Sequence, residues 1–237
     1  MTVTAAAAAL TCQLDHLVVL ASSLDKGVRW CENMLGITPG PGGEHVLMGT
    51  HNRLFSLASP AFPDTYLEII AINSRAHFAR TACAKRWFDM DSPKVQQQLN
   101  ESGPQLAHFV ARTARIEAGV RALATLGLDR GEIIAASRMT PQGPLDWKIT
   151  VRPDGQRLLS GLLPMLIEWG KRHPASSMEA SSVTLKRLEM HHPQPNVLRA
   201  AYEAIGLAGM DVQHGAPNLM VTLQTPRGLV TLESKGL

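Results

Sequence analysis

His16 to Arg29, HLVVLASSLDKGVR, and His108 to Arg121, HFVARTARIEAGVR, align at a constant offset of 92 residues. Identities fall at His16/His108, Val18/Val110, Gly27/Gly119, Val28/Val120 and Arg29/Arg121. Each copy opens on a Val- and Leu-rich run of strand length and passes into apolar residues at helical spacing. In the first copy Ser22-Ser23 offers an N-cap, and Leu24, Val28, Cys31, Met34 and Leu35 form the stripe that Gly36 ends. An internal repeat of this kind makes each copy one supersecondary unit.

Working outward, His45 to Met48, Leu54 to Leu57 and Tyr66 to Ile72 (YLEIIAI) read as strands after the first helix. Glu132 to Arg138, Leu145 to Val151 and Leu162 to Trp169 read as strands after the second. The order strand, helix, strand, strand, strand therefore occurs twice. A third, diverged copy follows a polar hinge (Lys171 to Ser182), with strand Val183 to His191, helix Pro195 to Ile205, and strands near Met210, Leu219 and Leu229. The chain is expected to be α+β, built of tandem βαβββ modules over residues 13–92, 104–170 and 183–237. Residues 1–12 are expected to be a flexible tail. A linker helix is expected over residues 85–102, capped by Asp91 or Ser92 with Pro93 in its first turn.

Composition limits the function. The 237 residues carry 23 Lys plus Arg against 20 Asp plus Glu, a net charge of +3, with 45% apolar and 18% charged residues. That is globular composition. The positive charges are scattered, whereas a nucleic-acid surface needs a cluster, so no nucleic-acid partner is expected. No run of about 18 or more apolar residues exists, so no membrane helix is expected. MTVTAAAAAL lacks the positive start of a secretory signal. Three separated cysteines, Cys12, Cys31 and Cys83, fit a reducing cytoplasm better than a disulfide framework. There is no GxSxG nucleophile elbow, and PGPGG (Pro39 to Gly43) is not a phosphate-binding loop.

Each of the first two copies carries a His on its first strand and a Glu on its last: His16 and Glu68, His108 and Glu168. If a pseudo-twofold relates the copies, the four side chains can converge on a divalent ion such as Ni, Zn, Co, Mn or Fe. A water on that ion has a lowered pKa. A carboxylate inside YLEII or MLIEW is costly to bury alone, so Glu68 and Glu168 each need a metal, an Arg, another donor or solvent. Gly49 to Asn52 reads as a tight turn from which His51 and Asn52 contact substrate. Local turn bonds account for Thr50 and Asn52 equally well. His45 is a further polar group or substitute ligand, and Arg53 pairs with an anion or with Glu68. Trp87-Phe88 either packs in the core or roofs a pocket.

The repeated βαβββ order, the DHLVV opening, the GTHN turn and the YLEII strand together resemble the vicinal oxygen chelate superfamily, and within it the bacterial glyoxalase-like domain group. The resemblance implies a cupped mixed sheet with flanking helices, formed by two modules, and a metal held by His16, Glu68, His108 and Glu168. It implies a metal-dependent isomerase or lyase acting on a small oxygen-chelating substrate, with Glu68 or Glu168 as general base. The expected exposed strand edges offer a surface for a homodimer. Two other readings stay open: an Fe(II) extradiol-type dioxygenase using His16, His108 and one Glu, and a metal-free binding protein.

Overall fold

The computed structural model describes residues 9–76, 78 and 84–237. Cys83 and most of the expected tail lie outside them. The described end of that tail is ordered onto the body: Cys12 is buried, and its N–H donates to the Gly206 carbonyl at 3.2 Å.

Two βαβββ units form the central sheet. The first is β1 (Gln13–Leu20), α1 (Leu24–Leu35), β2 (Glu44–His45), β3 (Thr50–Ser56) and β4 (Tyr66–Ile72). A linker helix, α2 (Pro93–Glu101), precedes β5 (Gln105–Arg112), α3 (Ile116–Ala124), β6 (Glu132–Thr140), β7 (Gly143–Val151) and β8 (Met165–Trp169). The strand order is β2-β3-β4-β1-β5-β8-β7-β6. In each unit the first strand lies parallel to the last, β1 with β4 and β5 with β8. The units meet where β1 and β5 run antiparallel, with His16 opposite Val110 and Val18 opposite His108. That symmetric register is the expected pseudo-twofold. Arg138 on edge strand β6 reaches Gly43 beside β2, so the two ends of the sheet curl toward each other.

Alternation along the strands sorts the core. Leu17, Val19, Leu67, Ile69, Phe109 and Leu166 belong to the cluster under the helices, while Val18, Leu20, Ile70, Val110, Met165 and Ile167 line the cup. Trp87, Phe88 and Met90 of the linker pack into the cup face as core residues, and Trp87 and Phe88 also wall a cavity there. The repeated glycine has a packing reason. A Cβ at Gly27 would sit 2.5 Å from Ile69 Cγ2, and one at Gly119 would sit 2.6 Å from Leu166 Cδ1. Each helix crosses its module's last strand at that glycine. Gly27→Val is therefore expected to lower stability by about 1–3 kcal/mol through overpacking. Urea unfolding checks this, and a variant within about 0.5 kcal/mol of wild type would show that the helix shifts freely.

Some boundaries differ from expectation. The tight turn lies at Val46–Met48, a 3-10 turn ended by Gly49 at φ +58°, so His51 and Asn52 are residues of β3. The linker helix starts after Ser92 with Pro93 in its first turn, as expected, and residues 84–92 ahead of it are not helical. The third segment, β9 (Thr184–His192), α4 (Pro195–Ala204), β10 (Asp211–His214), β11 (Asn218–Thr225) and β12 (Gly228–Glu233), repeats the chain order only. Its sheet order is β10-β9-β11-β12, with β9 beside β11 and parallel to the short β10. Chain order alone cannot distinguish these pairings. This unit packs through Leu185, Leu198 and Tyr202 into the cluster under the helices.

Candidate functional site

His16 and Glu68 come together on the cup face. Val18 pairs with Glu68 in the parallel register, so His16 and Glu68 lie on the same side of adjacent strands. His16 Nε2 and Glu68 Oε2 are 3.6 Å apart, and the His16 ring stacks on Tyr66 with centroids 4.6 Å apart. Behind His16 stands Asp15, fully buried. Neighbouring strand residues normally face opposite ways, but the register slips between Leu14 and His16, leaving Asp15 as the extra residue of a bulge. Its Oδ1 accepts from His16 Nδ1 at 2.6 Å. Its Oδ2 accepts from Trp169 Nε1 and His173 Nε2, both at 2.9 Å. Burial alone would raise the Asp15 pKa, but the bonds and charges of His16 and His173 outweigh it and hold the carboxyl well below the usual range. The ionised Asp15 fixes the Nδ1–H tautomer of His16, so Nε2 faces Glu68.

Glu68 is held from the other side. Asn52 Nδ2 donates to Glu68 Oε1 at 2.6 Å and approaches His45 Nε2 at 3.3 Å, while the Gly43 N–H donates to Asn52 Oδ1 at 2.7 Å. His45 Nδ1 bonds Thr50 Oγ1 at 3.0 Å. Burial pushes His45 down to about 4; the Glu68 charge opposes this and Arg138 reinforces it. His45 is thus a neutral Nδ1–H imidazole whose Nε2 accepts from Asn52. Of the Glu68 oxygens, Oε1 is tied to Asn52 and Oε2 faces His16.

The remaining expected residues lie elsewhere. His108 is fully buried, with Nδ1–H donating to the Gly161 carbonyl at 2.7 Å and Nε2 accepting from the Met165 N–H at 3.2 Å. Burial drives its pKa far down. Both ring nitrogens are used by the backbone. Glu168 Oε2 accepts from the Ile116 N–H at 2.9 Å at the start of α3, and Oε1 lies 3.5 Å from Lys148. The register explains this. Val18 pairs with Glu68, and its counterpart Val110 pairs with Met165, so Met165 is the structural equivalent of Glu68. Glu168 lies three residues further, an odd step that turns its side chain from the position of Glu68 toward the start of α3 and Lys148. Period two likewise sends His51 and Arg53 away from buried Asn52, and Arg53 does not meet Glu68.

Sequence reasoning missed Asp15, Trp169, His173 and Arg138. The burial argument that singles out Glu68 applies equally to Asp15 in QLDHLVV and would have found it. His173 sits in the polar hinge, where nothing in the sequence distinguishes it.

The His16–Glu68 pair opens into a small cavity of about 40 Å³ walled by Trp87, Phe88, Trp147 and Trp169. It shares His45, Trp87, Arg138, Trp147 and Trp169 with a cavity of about 750 Å³ that is also lined by Met48, Ile134 and Val151. That larger space is of the size of a small-molecule site. No described residue lining either cavity comes from beyond Pro174, and the third unit's strands form a separate sheet, with Leu237 packed into the cup-face cluster.

The donor set does not fit a shared divalent ion. The expected quartet is not assembled, because His108 and Glu168 are committed to backbone partners. Between His45 Nε2 and Glu68 Oε1, which are 3.8 Å apart, the place of a cation is taken by the Asn52 amide nitrogen. Among the described residues no group of three or more His, Cys, Asp or Glu is arranged to hold a metal.

A sequence profile described as a glyoxalase-like domain matches residues 14–206. Among solved structures, a hypothetical protein from Staphylococcus aureus is 14% identical with a TM-score of 0.55, covering 94% of this chain and 85% of that one. Methylmalonyl-CoA epimerase from Mycobacterium tuberculosis is 16% identical with a TM-score of 0.37, over 70% of this chain and 92% of that one. A single-substitution variant of Streptomyces coelicolor methylmalonyl-CoA epimerase, in complex with 2-nitronate-propionyl-CoA, is 15% identical with a TM-score of 0.41, over 70% of this chain and 99% of that one. Among curated proteins none matches the chain.

Proposed function

Since this chain belongs to the glyoxalase-like domain family of the vicinal oxygen chelate superfamily, we propose that it is an isomerase or lyase that moves a proton at the carbon beside a carbonyl of a small molecule, with His16 and Glu68 as its acid–base pair. The observation that supports this reading is the 3.6 Å approach of His16 Nε2 to Glu68 Oε2 at a small aromatic-walled cavity, each held from behind by its own partner. Asn52 fixes the carboxylate and leaves Oε2 to take a proton. Asp15 fixes the imidazole and stabilises the charged ring when Nε2 carries one. Positioned acid–base groups of this kind contribute about 10²–10⁴-fold to rate.

The reaction is assigned to these side chains and not to a metal, because the donors present do not fit one. The dioxygenase alternative needs His108 as a ligand, and His108 has no free nitrogen. A cytoplasmic location belongs to the proposal, supported by the free buried thiols Cys12 and Cys31. So does a homodimer, for which β10 and β12 offer edge strands. Among the described residues no helix is long and apolar enough to cross a membrane.

Exchange in D2O tests the reaction. Small 1,2-dicarbonyls, 2-oxo acids and α-substituted acids are incubated with protein, and deuterium at the α-carbon is read by mass spectrometry. Wild type is expected to exchange at least one of them, with Glu68→Gln and His16→Ala slower by about 100-fold or more. No exchange by wild type across the set would leave a small-molecule binding protein, the second reading.

A further inference from the structure

The cavity contains one cation without a counter-charge. Arg138 extends from β6 to Gly43, where its Nη1 lies so close that a Cβ on Gly43 would stand 2.7 Å from the guanidinium carbon. Glycine at 43 is what lets the guanidinium lie there. Nη1 is buried from solvent and has no hydrogen-bond partner. Arg138 forms no ion pair among the described residues. The other cation of the wall, Lys148, is engaged by Glu117 at 2.9 Å and Glu168 at 3.5 Å. Arg138 lines both the large cavity and the small space around His16 and Glu68, and its charge is felt by His45 and Tyr66. A buried N–H without an acceptor is costly, and a guanidinium without a counter-charge more so. An oxyanion in the cavity supplies that counter-charge, and a charge-assisted bond from arginine is among the stronger polar contacts. The wall also carries the carboxylates Glu44, Asp146 and Glu168, but it is mainly apolar, with Met48, Ile134, Ile149, Val151, Trp147 and Trp169, and asks for an apolar body.

We propose that the ligand of this cavity is an amphipathic organic anion, with its carboxylate-like group on Arg138 beside Glu68 and its aromatic or branched aliphatic body against Trp147 and Trp169. This rests on the reading of His16 and Glu68 as the reacting pair and adds the substrate class. Arg138 supplies there the positive charge toward which electron density moves as a proton leaves the α-carbon. The site thereby has an electrophile made from its own chain.

Two fluorescent probes of nearly the same shape test the binding without any turnover: 8-anilinonaphthalene-1-sulfonate, which is anionic, and N-phenyl-1-naphthylamine, which is neutral. Each is titrated into wild type, Arg138→Gln, Arg138→Lys and Ala136→Trp, with thermal unfolding confirming that each variant is folded. In Arg138→Gln the anionic probe is expected to weaken by about tenfold or more, as for the loss of one charge-assisted contact, and the neutral probe by less than about twofold. Arg138→Lys restores much of the difference. Ala136 lines the same cavity, so Ala136→Trp weakens both probes. Equal affinity of the anionic probe for wild type and Arg138→Gln overturns the inference, as does parallel loss of both probes in Arg138→Gln or no loss of either in Ala136→Trp. Failure of deuterium exchange sinks the reaction and leaves these probe results standing, so the two ideas fall separately.

Discussion

Asp15→Ala is expected to lower the unfolding free energy by about 3 kcal/mol, because it removes the acceptor of three N–H donors at once. Asp15 is fully buried and receives His16, Trp169 and His173. An alanine leaves a void and strands those donors, each buried donor costing about 1–3 kcal/mol when unsatisfied. His173 is partly exposed and recovers a bond to water, so the larger share falls on His16 and Trp169. Asp15→Asn does little better, since an amide offers one acceptor oxygen and turns its own donors toward a neighbouring donor. The measurement is urea unfolding of wild type and both variants, read as a change in midpoint at constant slope. A loss below about 1 kcal/mol would show that the bulge is held by its backbone and that Asp15 contributes little to the placement of His16.

Acid should destabilise the fold well above the range where carboxylates titrate. His45 is pushed down to about 4 from an ordinary 6.5, and His108 is also held well below its ordinary value, both chiefly by burial. A histidine whose folded pKa lies below its unfolded value takes up a proton on unfolding. The stability tied to keeping it neutral is complete above about pH 6.5 and drains away as pH falls toward the folded value. Two such groups give a slope approaching about 2.7 kcal/mol per pH unit between about pH 6 and 4. Asp15 acts in the same direction at lower pH: its stabilising contribution is complete above the ordinary carboxylate value and is lost progressively as pH falls below it toward the depressed folded value. Denaturant unfolding at half-unit steps from about pH 7 to 4 gives the slope, and His45→Gln should remove about one proton from it. A profile that stays flat down to about pH 4.5 would mean that water reaches both rings.

The two repeated stretches led correctly to the fold for a local reason. A strand run, a helical apolar stripe and a glycine where helix meets strand are all written within one short stretch of each copy, and Gly27 and Gly119 recur because the same contact recurs. His16 and Glu68 were legible for a related reason. Each stands in an apolar strand of known period, and a carboxylate buried there must have a partner.

The pairing of Glu168 with Glu68 failed because sequence similarity between MLIEW and YLEII is blind to register. Only the hydrogen-bond ladder places Met165 opposite Val110, and a shift of three residues sends Glu168 toward the start of α3 and Lys148. The third segment shows the same limit, since its order of elements was readable and its strand order was not.

From the sequence alone, then, come the element order, the two-module architecture and the pair His16 and Glu68, because these depend on periodicity and burial along one stretch of chain. The tertiary structure alone decides that Asp15, Trp169 and His173 stand behind His16, that Asn52 bridges Glu68 and His45, and that Arg138 crosses to Gly43. Those contacts join residues up to 158 positions apart, and their geometry is set by sheet register, a bulge and the curl of the sheet, none of which any local stretch encodes.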